Sequence, residues 1–244
     1  MKKRIILFII GVLLTLFVVS FFGFFDVVNA LLRANPLYIA LAVGLQFLTL
    51  LMLAARQRLI GGPYVPFTKT FRVVMSGNFV NLIVPGPAVG GEPLKIYMLR
   101  SSYGTSKATA VIAVDDFVEI FGTLLVVLFA VLFFAPTVAP QLTAILVAFV
   151  IIVMLFMAGI MKLLLTPRWL KRVVNWFVDR ISKYQNIEKK DYARMFYNAF
   201  RLLLENKRML AGALLITIAI KVIEFAIIML SFAAIGVSLP WREI

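Results

Sequence analysis

Apolar runs long enough to cross a bilayer recur five times in this chain, at about residues 5–25, 37–55, 108–134, 142–165 and 209–235. A hydrocarbon layer of about 30 Å is crossed by about 20 helical residues. A chain of 244 residues can bury one sizeable core in water, but it cannot also hide five runs of this length. In lipid, every backbone N–H and C=O must find a partner within the protein, and unbroken apolar runs do so as helices. The expected fold class is all-α: a polytopic helical membrane protein, with residues 1–244 as a single transmembrane domain. A hydrophobic content of 63% agrees, since soluble domains sit nearer half apolar.

Charge sets the orientation. The formal net charge is +14, which in a soluble protein would suggest nucleic acid. Here the basic residues flank apolar runs, and no aromatic stacking platform accompanies them. Membrane phospholipids and their anionic headgroups are the expected partners, nucleic acid is not, and a homo-oligomer is also open. Residues 1–4, 56–107 and 162–208 hold 3, 7 and 12 Lys/Arg, which is 22 of the 25. The positive-inside rule places all three regions, and hence the N-terminus, in the cytoplasm. Met1-Lys2-Lys3-Arg4 and the long run after it read as a retained first span, because no clean small-x-small cleavage site follows. Residues 166–208 read as a basic amphipathic cytoplasmic segment, with a helical stripe at Leu170, Val173, Val174, Phe177, Ile181 and Tyr184.

The chain has no Cys and no His. Thiolate and imidazole ligands and Ser-His-Asp or Cys-His catalysis are therefore excluded. No metal, cofactor or catalytic residue is expected.

Residues 71–99 are apolar but interrupted by Pro85, Gly86, Pro87, Gly90, Gly91 and Pro93. An unbroken span would not carry so many breakers cheaply. Two short helices meeting at a Gly/Pro turn, as a broken or re-entrant hairpin, is the economical reading. Pro93 fits the first helical position. Its helix start, with Lys95 close by, suits an anionic group. Gly90 and Gly91 permit close backbone approach, and Asn78 and Asn81 could face the same cavity. Glu92 suits a helix start but would repel a phosphate unless paired. Asn78, Asn81, Gly90, Gly91, Glu92, Lys95 and Lys221 are the candidate headgroup-binding residues. A plain structural turn is the other reading of this stretch.

Ionisable groups inside spans turn toward a bundle interior or cavity. Asp115, Asp116 and Glu119 lie in the third run and Lys221 and Glu224 in the fifth. Asp115 and Glu119, four apart, share a helix face. Asp115, Asp116, Glu119 and Glu224 are candidate proton- or charge-coupling groups. Lys221 could neutralise Glu224, three positions on, or meet the acids of the third run.

Two blocks carry a resemblance. Ser76-Gly77-Asn78-Phe79-Val80-Asn81 with Pro85-Gly86-Pro87-Ala88-Val89-Gly90-Gly91-Glu92-Pro93-Leu94-Lys95 is the first. Ala110-Val111-Ile112-Ala113-Val114-Asp115-Asp116-Phe117-Val118-Glu119 is the second. Together they resemble the flippase-like transmembrane domain of lysylphosphatidylglycerol synthases and its stand-alone prokaryotic relatives. The resemblance implies a lipid-handling module in the cell membrane of a prokaryote, multi-pass, acting on an anionic or aminoacylated phospholipid or lipid-linked headgroup. In two-domain members a soluble domain makes the aminoacylated lipid. These 244 residues hold no such domain, so synthase chemistry is not carried over. Gly91, Glu92 and Lys95 map onto the family's Gly-Glu-x-x-Arg element, with Lys, a point charge, in place of the forked Arg. Asp116 and Glu119 map onto its acidic positions. A later Pro-Gly-Gly-x-Gly element of the family is not reached, so the sequence is expected to be shortened at its C-terminus. The alternative function is a membrane-embedded lipid-modifying transferase or its accessory subunit, with a carboxylate as base.

Overall fold

The computed structural model describes residues 28–29, 32–83, 90–138, 140–164, 166 and 189–237. The first expected span, the hairpin tip at 84–89, the stripe from Leu170 to Tyr184 and residues 238–244 lie outside them. Among the described residues there are no strand, a few helical residues at 28–29 and 32–33, and, from Pro36 onward, seven helices. These are α1 (Pro36–Gly61), α2 (Phe67–Ile83), α3 (Gly91–Tyr103), α4 (Thr105–Val138), α5 (Pro140–Leu164), α6 (Lys189–Glu205) and α7 (Lys207–Ala234). Four are long and apolar enough to cross a membrane: α1, α4 over Thr105–Phe134, α5 over Gln141–Ile160, and α7. The protein is a multi-pass, all-helical membrane protein.

Local chemistry sets the helix ends. Asn35 accepts the Leu37 N–H at 3.0 Å and Pro36 occupies the first turn of α1, where its missing N–H removes nothing. Asn206 caps α7 by accepting the Met209 N–H at 3.1 Å. The joint between α3 and α4 is one residue, Gly104, at φ +75°. Only glycine takes that left-handed conformation without strain, and its N–H closes α3 on the Arg100 carbonyl at 2.9 Å.

The spans α1, α4 and α7 pack against one another. The Asn35 N–H donates to the Ala234 carbonyl at 2.8 Å, and a Cβ on Gly212 would meet Leu59. The start of α1 thus meets the end of α7, and the two run antiparallel. In lipid such contacts rest on close packing rather than on burial from water, and small side chains permit it. Ala54, Ala110 and Ala213 are fully buried, and Gly122 lies against Thr217. Beside them α2 and α3 form an antiparallel hairpin on α4, cored by Val65, Val73, Leu99, Ala108 and Ile112. α6 turns Phe196 and Phe200 inward onto Val111, Val114 and Val118 of α4, and its exposed side carries the Arg201–Glu205 pair. α5 packs on α4 and shows exposed Ile145, Phe149, Ile152 and Phe156.

At 17 and 13 residues, α2 and α3 extend about 25 and 20 Å. Each is shorter than a hydrocarbon core. Lys69 at the beginning of α2 donates to Ser101 and Ser102 near the end of α3, at 3.0 and 2.7 Å. The hairpin therefore starts and finishes at the same end of the bundle.

Candidate functional site

Where α2 and α3 cross, two glycines bring the backbones together. A Cβ on Gly91 would collide with the Gly77 carbonyl and the Asn81 side chain, and one on Gly77 would lie 2.5 Å from Lys95 Cε. α3 begins at Gly91, two residues ahead of Pro93, which falls within the first turn. Asn81 reaches across from α2. Its Oδ1 accepts the Gly91 N–H at 2.8 Å, and its Nδ2 lies 3.4 Å from both Glu92 carboxylate oxygens. Lys95 is buried and donates to Glu92 at 3.2 Å. The start of α3, anticipated as an open anion site, thus has one N–H and its neighbouring lysine already committed to protein groups. Asn81 works as a cap on a foreign helix. Asn81→Ala is expected to cost about 1–2 kcal/mol, because it orphans a buried N–H and loosens Glu92. An unchanged melting temperature in detergent would contradict that role.

The largest polar centre was not legible as such. Arg56 was counted among the cytoplasmic loop cations, but it lies inside α1 at 1% exposure. Its Nε donates to Asp115 at 2.7 Å, its Nη2 to Glu119 at 2.7 Å and its Nη1 to the Thr217 hydroxyl at 3.1 Å. One guanidinium therefore ties α1 to α4 and α7. Thr217 in turn donates to the Ala213 carbonyl at 2.9 Å. Next to Arg56, Gln57 is fully buried, and neither of its side-chain polar atoms is hydrogen-bonded among the described residues. Nothing in the sequence singled out Gln57 or Thr217. Arg56 could have been found by asking which cation answers the acids of the third run.

Lys221 meets Glu224 at 2.8 Å, so the pair on α7 is self-neutralised. The charges of Lys221 and Lys95 also act on Glu119. Asp116 is half-buried and feels Lys95, Glu92, Asp115 and Glu119. Among the described residues it has no hydrogen bond or ion pair of its own. Asn78 is half-buried and likewise receives no hydrogen bond from the described residues, and Gly90 is the residue before α3. The structure therefore gathers Glu92, Lys95, Asp115, Asp116, Glu119 and Lys221 into one electrostatic neighbourhood, with Glu224 joined through Lys221. Asn81 and Gly91 lie at its edge. Five carboxylates face three cations there, and each cation is held by at least one carboxylate. Among the described residues there is no group of His, Cys, Asp and Glu arranged to hold a metal ion.

A family profile described as the lysylphosphatidylglycerol synthase TM region matches residues 5–244. Two proteins of Methanothermobacter thermautotrophicus, each named a UPF0104 membrane protein, are similar along nearly the whole chain. One is 24% identical over 250 residues, covering 96% of this chain and 73% of the relative. The other is 26% identical over 262 residues, covering 98% and 74%. A UPF0104 membrane protein of Methanocaldococcus jannaschii is 32% identical over 134 residues, 51% of this chain and 40% of the relative. No solved structure matches the chain.

Proposed function

The chain belongs to the lysylphosphatidylglycerol synthase transmembrane-region family, and from that premise we propose that it is a lipid translocase whose cargo headgroup carries an ammonium. The observation that supports this cargo is Asp116. It is a half-buried carboxylate without an ion pair among the described residues, in a cluster whose lysines and arginine are all engaged. A buried charge without a partner is costly, and an incoming ammonium supplies one. A purely anionic headgroup finds no uncommitted cation in this cluster among the described residues. Of the two headgroup classes that the sequence suggests, the aminoacylated one therefore fits better. The headgroup enters the polar neighbourhood between α1, α3, α4 and α7, and its acyl chains stay in the bilayer.

In this reading the hairpin of α2 and α3 is re-entrant, dipping into the membrane and leaving on the side it entered. That side is the cytoplasmic one. The end of α1 and the α2–α4 connections carry Arg58, Lys69, Arg72, Arg100 and Lys107, and α7 starts with Lys207 and Arg208, as the positive-inside rule asks. Lys107 lies over the Tyr64 and Tyr103 rings and Arg100 over Tyr97, which suits an interfacial belt.

Purified protein in liposomes should move a labelled aminoacyl-phospholipid between leaflets. Asp116→Asn should slow that movement about tenfold, the worth of one charge-assisted hydrogen bond. A wild-type protein that moves no lipid would remove the translocase reading. An Asp116→Asn variant as fast as wild type would remove the carboxylate's role.

A further inference from the structure

The three groups that hold Arg56 are not equivalent. The Asp115 side chain is 7% exposed and Arg56 is 1% exposed, whereas the Glu119 side chain is 43% exposed. Thr217 is fully buried. Asp115 and Thr217 are enclosed by packing, so of the three partners of Arg56 among the described residues Glu119 is the most exposed. It sits one helical turn from Asp116. If Glu119 leaves, Arg56 keeps Asp115 on Nε and Thr217 on Nη1, so only Nη2 is opened.

We propose that Glu119 is an exchangeable counter-ion, displaced from Arg56 Nη2 when a headgroup bearing both a phosphate and an ammonium binds. The headgroup ammonium settles between Asp116 and Glu119, and its phosphate takes the place Glu119 vacated on Arg56. The inference rests on the translocase reading and adds a recognition rule to it.

Counting charges shows why both headgroup groups are needed. Before binding, Arg56 faces two carboxylates and Asp116 has no ion pair among the described residues. After binding, Arg56 faces Asp115 and the phosphate, while Asp116 and Glu119 share the ammonium. Every buried charge then has a partner of opposite sign. A phosphate without an amine would strand Glu119 beside another anion. An amine without a phosphate would pull Glu119 away and leave Arg56 Nη2 empty. The first failure leaves Asp116 and Glu119 with no cation between them, and the second leaves a buried Arg56 N–H without an acceptor, each at a cost. The other charged groups around Glu119 do not change this balance. On α3, Lys95 is held by Glu92, and on α7, Lys221 is held by Glu224. No covalent step is involved.

The test measures lipid binding apart from lipid movement. The full chain in nanodiscs is presented with phosphatidylethanolamine, which has both groups, and phosphatidylglycerol, which has only the phosphate. Bound lipid is read by native mass spectrometry. Wild type should prefer phosphatidylethanolamine by about tenfold, the scale of one charge-assisted contact. Glu119→Gln should shrink that preference severalfold, because the neutral amide no longer guards Nη2 against a bare phosphate while Asp116 still rewards the ammonium. Glu119→Asp keeps the charge but shortens its reach, and it should move the preference the same way by a smaller factor. This second variant decides the matter if the glutamine variant does not fold. Equal preference in wild type and variants overturns the inference. A preference that narrows in the variants while liposomes show no leaflet exchange leaves the inference standing and removes the translocase reading. Leaflet exchange with an unchanged preference in the variants does the reverse.

Discussion

Replacing Arg56 by methionine is expected to destabilise the bundle by about 3–5 kcal/mol, the usual cost of removing one partner from a buried ion pair. Methionine keeps most of the apolar stem and removes the charge. Asp115 is then left buried without a cation, and Thr217 loses its donor. Glu119, more exposed, is hurt less. The loss should appear as a lower melting temperature of the helical circular-dichroism signal in detergent. Because most of the cost is the stranded charge, neutralising the partners should recover it. Arg56→Met combined with Asp115→Leu and Glu119→Gln should regain most of the lost stability, since a buried ion pair replaced as a whole by apolar side chains is often close to neutral. A single variant that melts with wild type would show that the three-helix tie is not formed.

Gly91 carries the second large effect. Alanine there should cost about 1–3 kcal/mol, the range for forcing atoms into a filled site. Its Cβ would press on the Gly77 carbonyl and on Asn81, which itself holds the Gly91 N–H. Neither neighbour can retreat without breaking the hairpin crossing, so leaflet exchange should fall with stability. Gly77→Ala is the informative contrast. Its Cβ would meet the methylenes of Lys95, at 2.5 and 2.7 Å, and a flexible stem yields more readily than a backbone carbonyl. Gly77→Ala should therefore hurt less than Gly91→Ala. Gly159, on the exposed side of α5 with nothing within 4 Å, should tolerate alanine without loss. The order Gly91, Gly77, Gly159 in melting temperature is the check, and a reversed order of the first two would refute the crossing as described.

What could be read in advance follows from what repeats along the chain. Long apolar helices declare themselves, because lipid demands uninterrupted runs and tolerates few alternatives. The Lys221–Glu224 pair was also open to reading, since three-residue spacing alone brings the partners together. Arg56 was not. It stands near the end of an apolar run, two residues before Arg58, where a basic residue ordinarily anchors a span at the interface. Its true partners lie 59 and 63 residues away, and no local pattern carries that distance. Asn81 was picked out for a cavity, yet its amide is spent on the hairpin itself. An amide in an apolar helix announces that it needs a partner without saying whether protein or cargo supplies it.

Gly104 leaves α3 and α4 no slack. A single residue moves the chain on by no more than about 3.8 Å, so α3 cannot slide by a helical turn unless α4 follows. Because Asp115, Asp116 and Glu119 ride on α4, a displacement of α3 at the Gly91 crossing should be felt at the carboxylates. Hairpin and acids behave as two arms of one crank, and the pivot is the smallest residue the chain could place there.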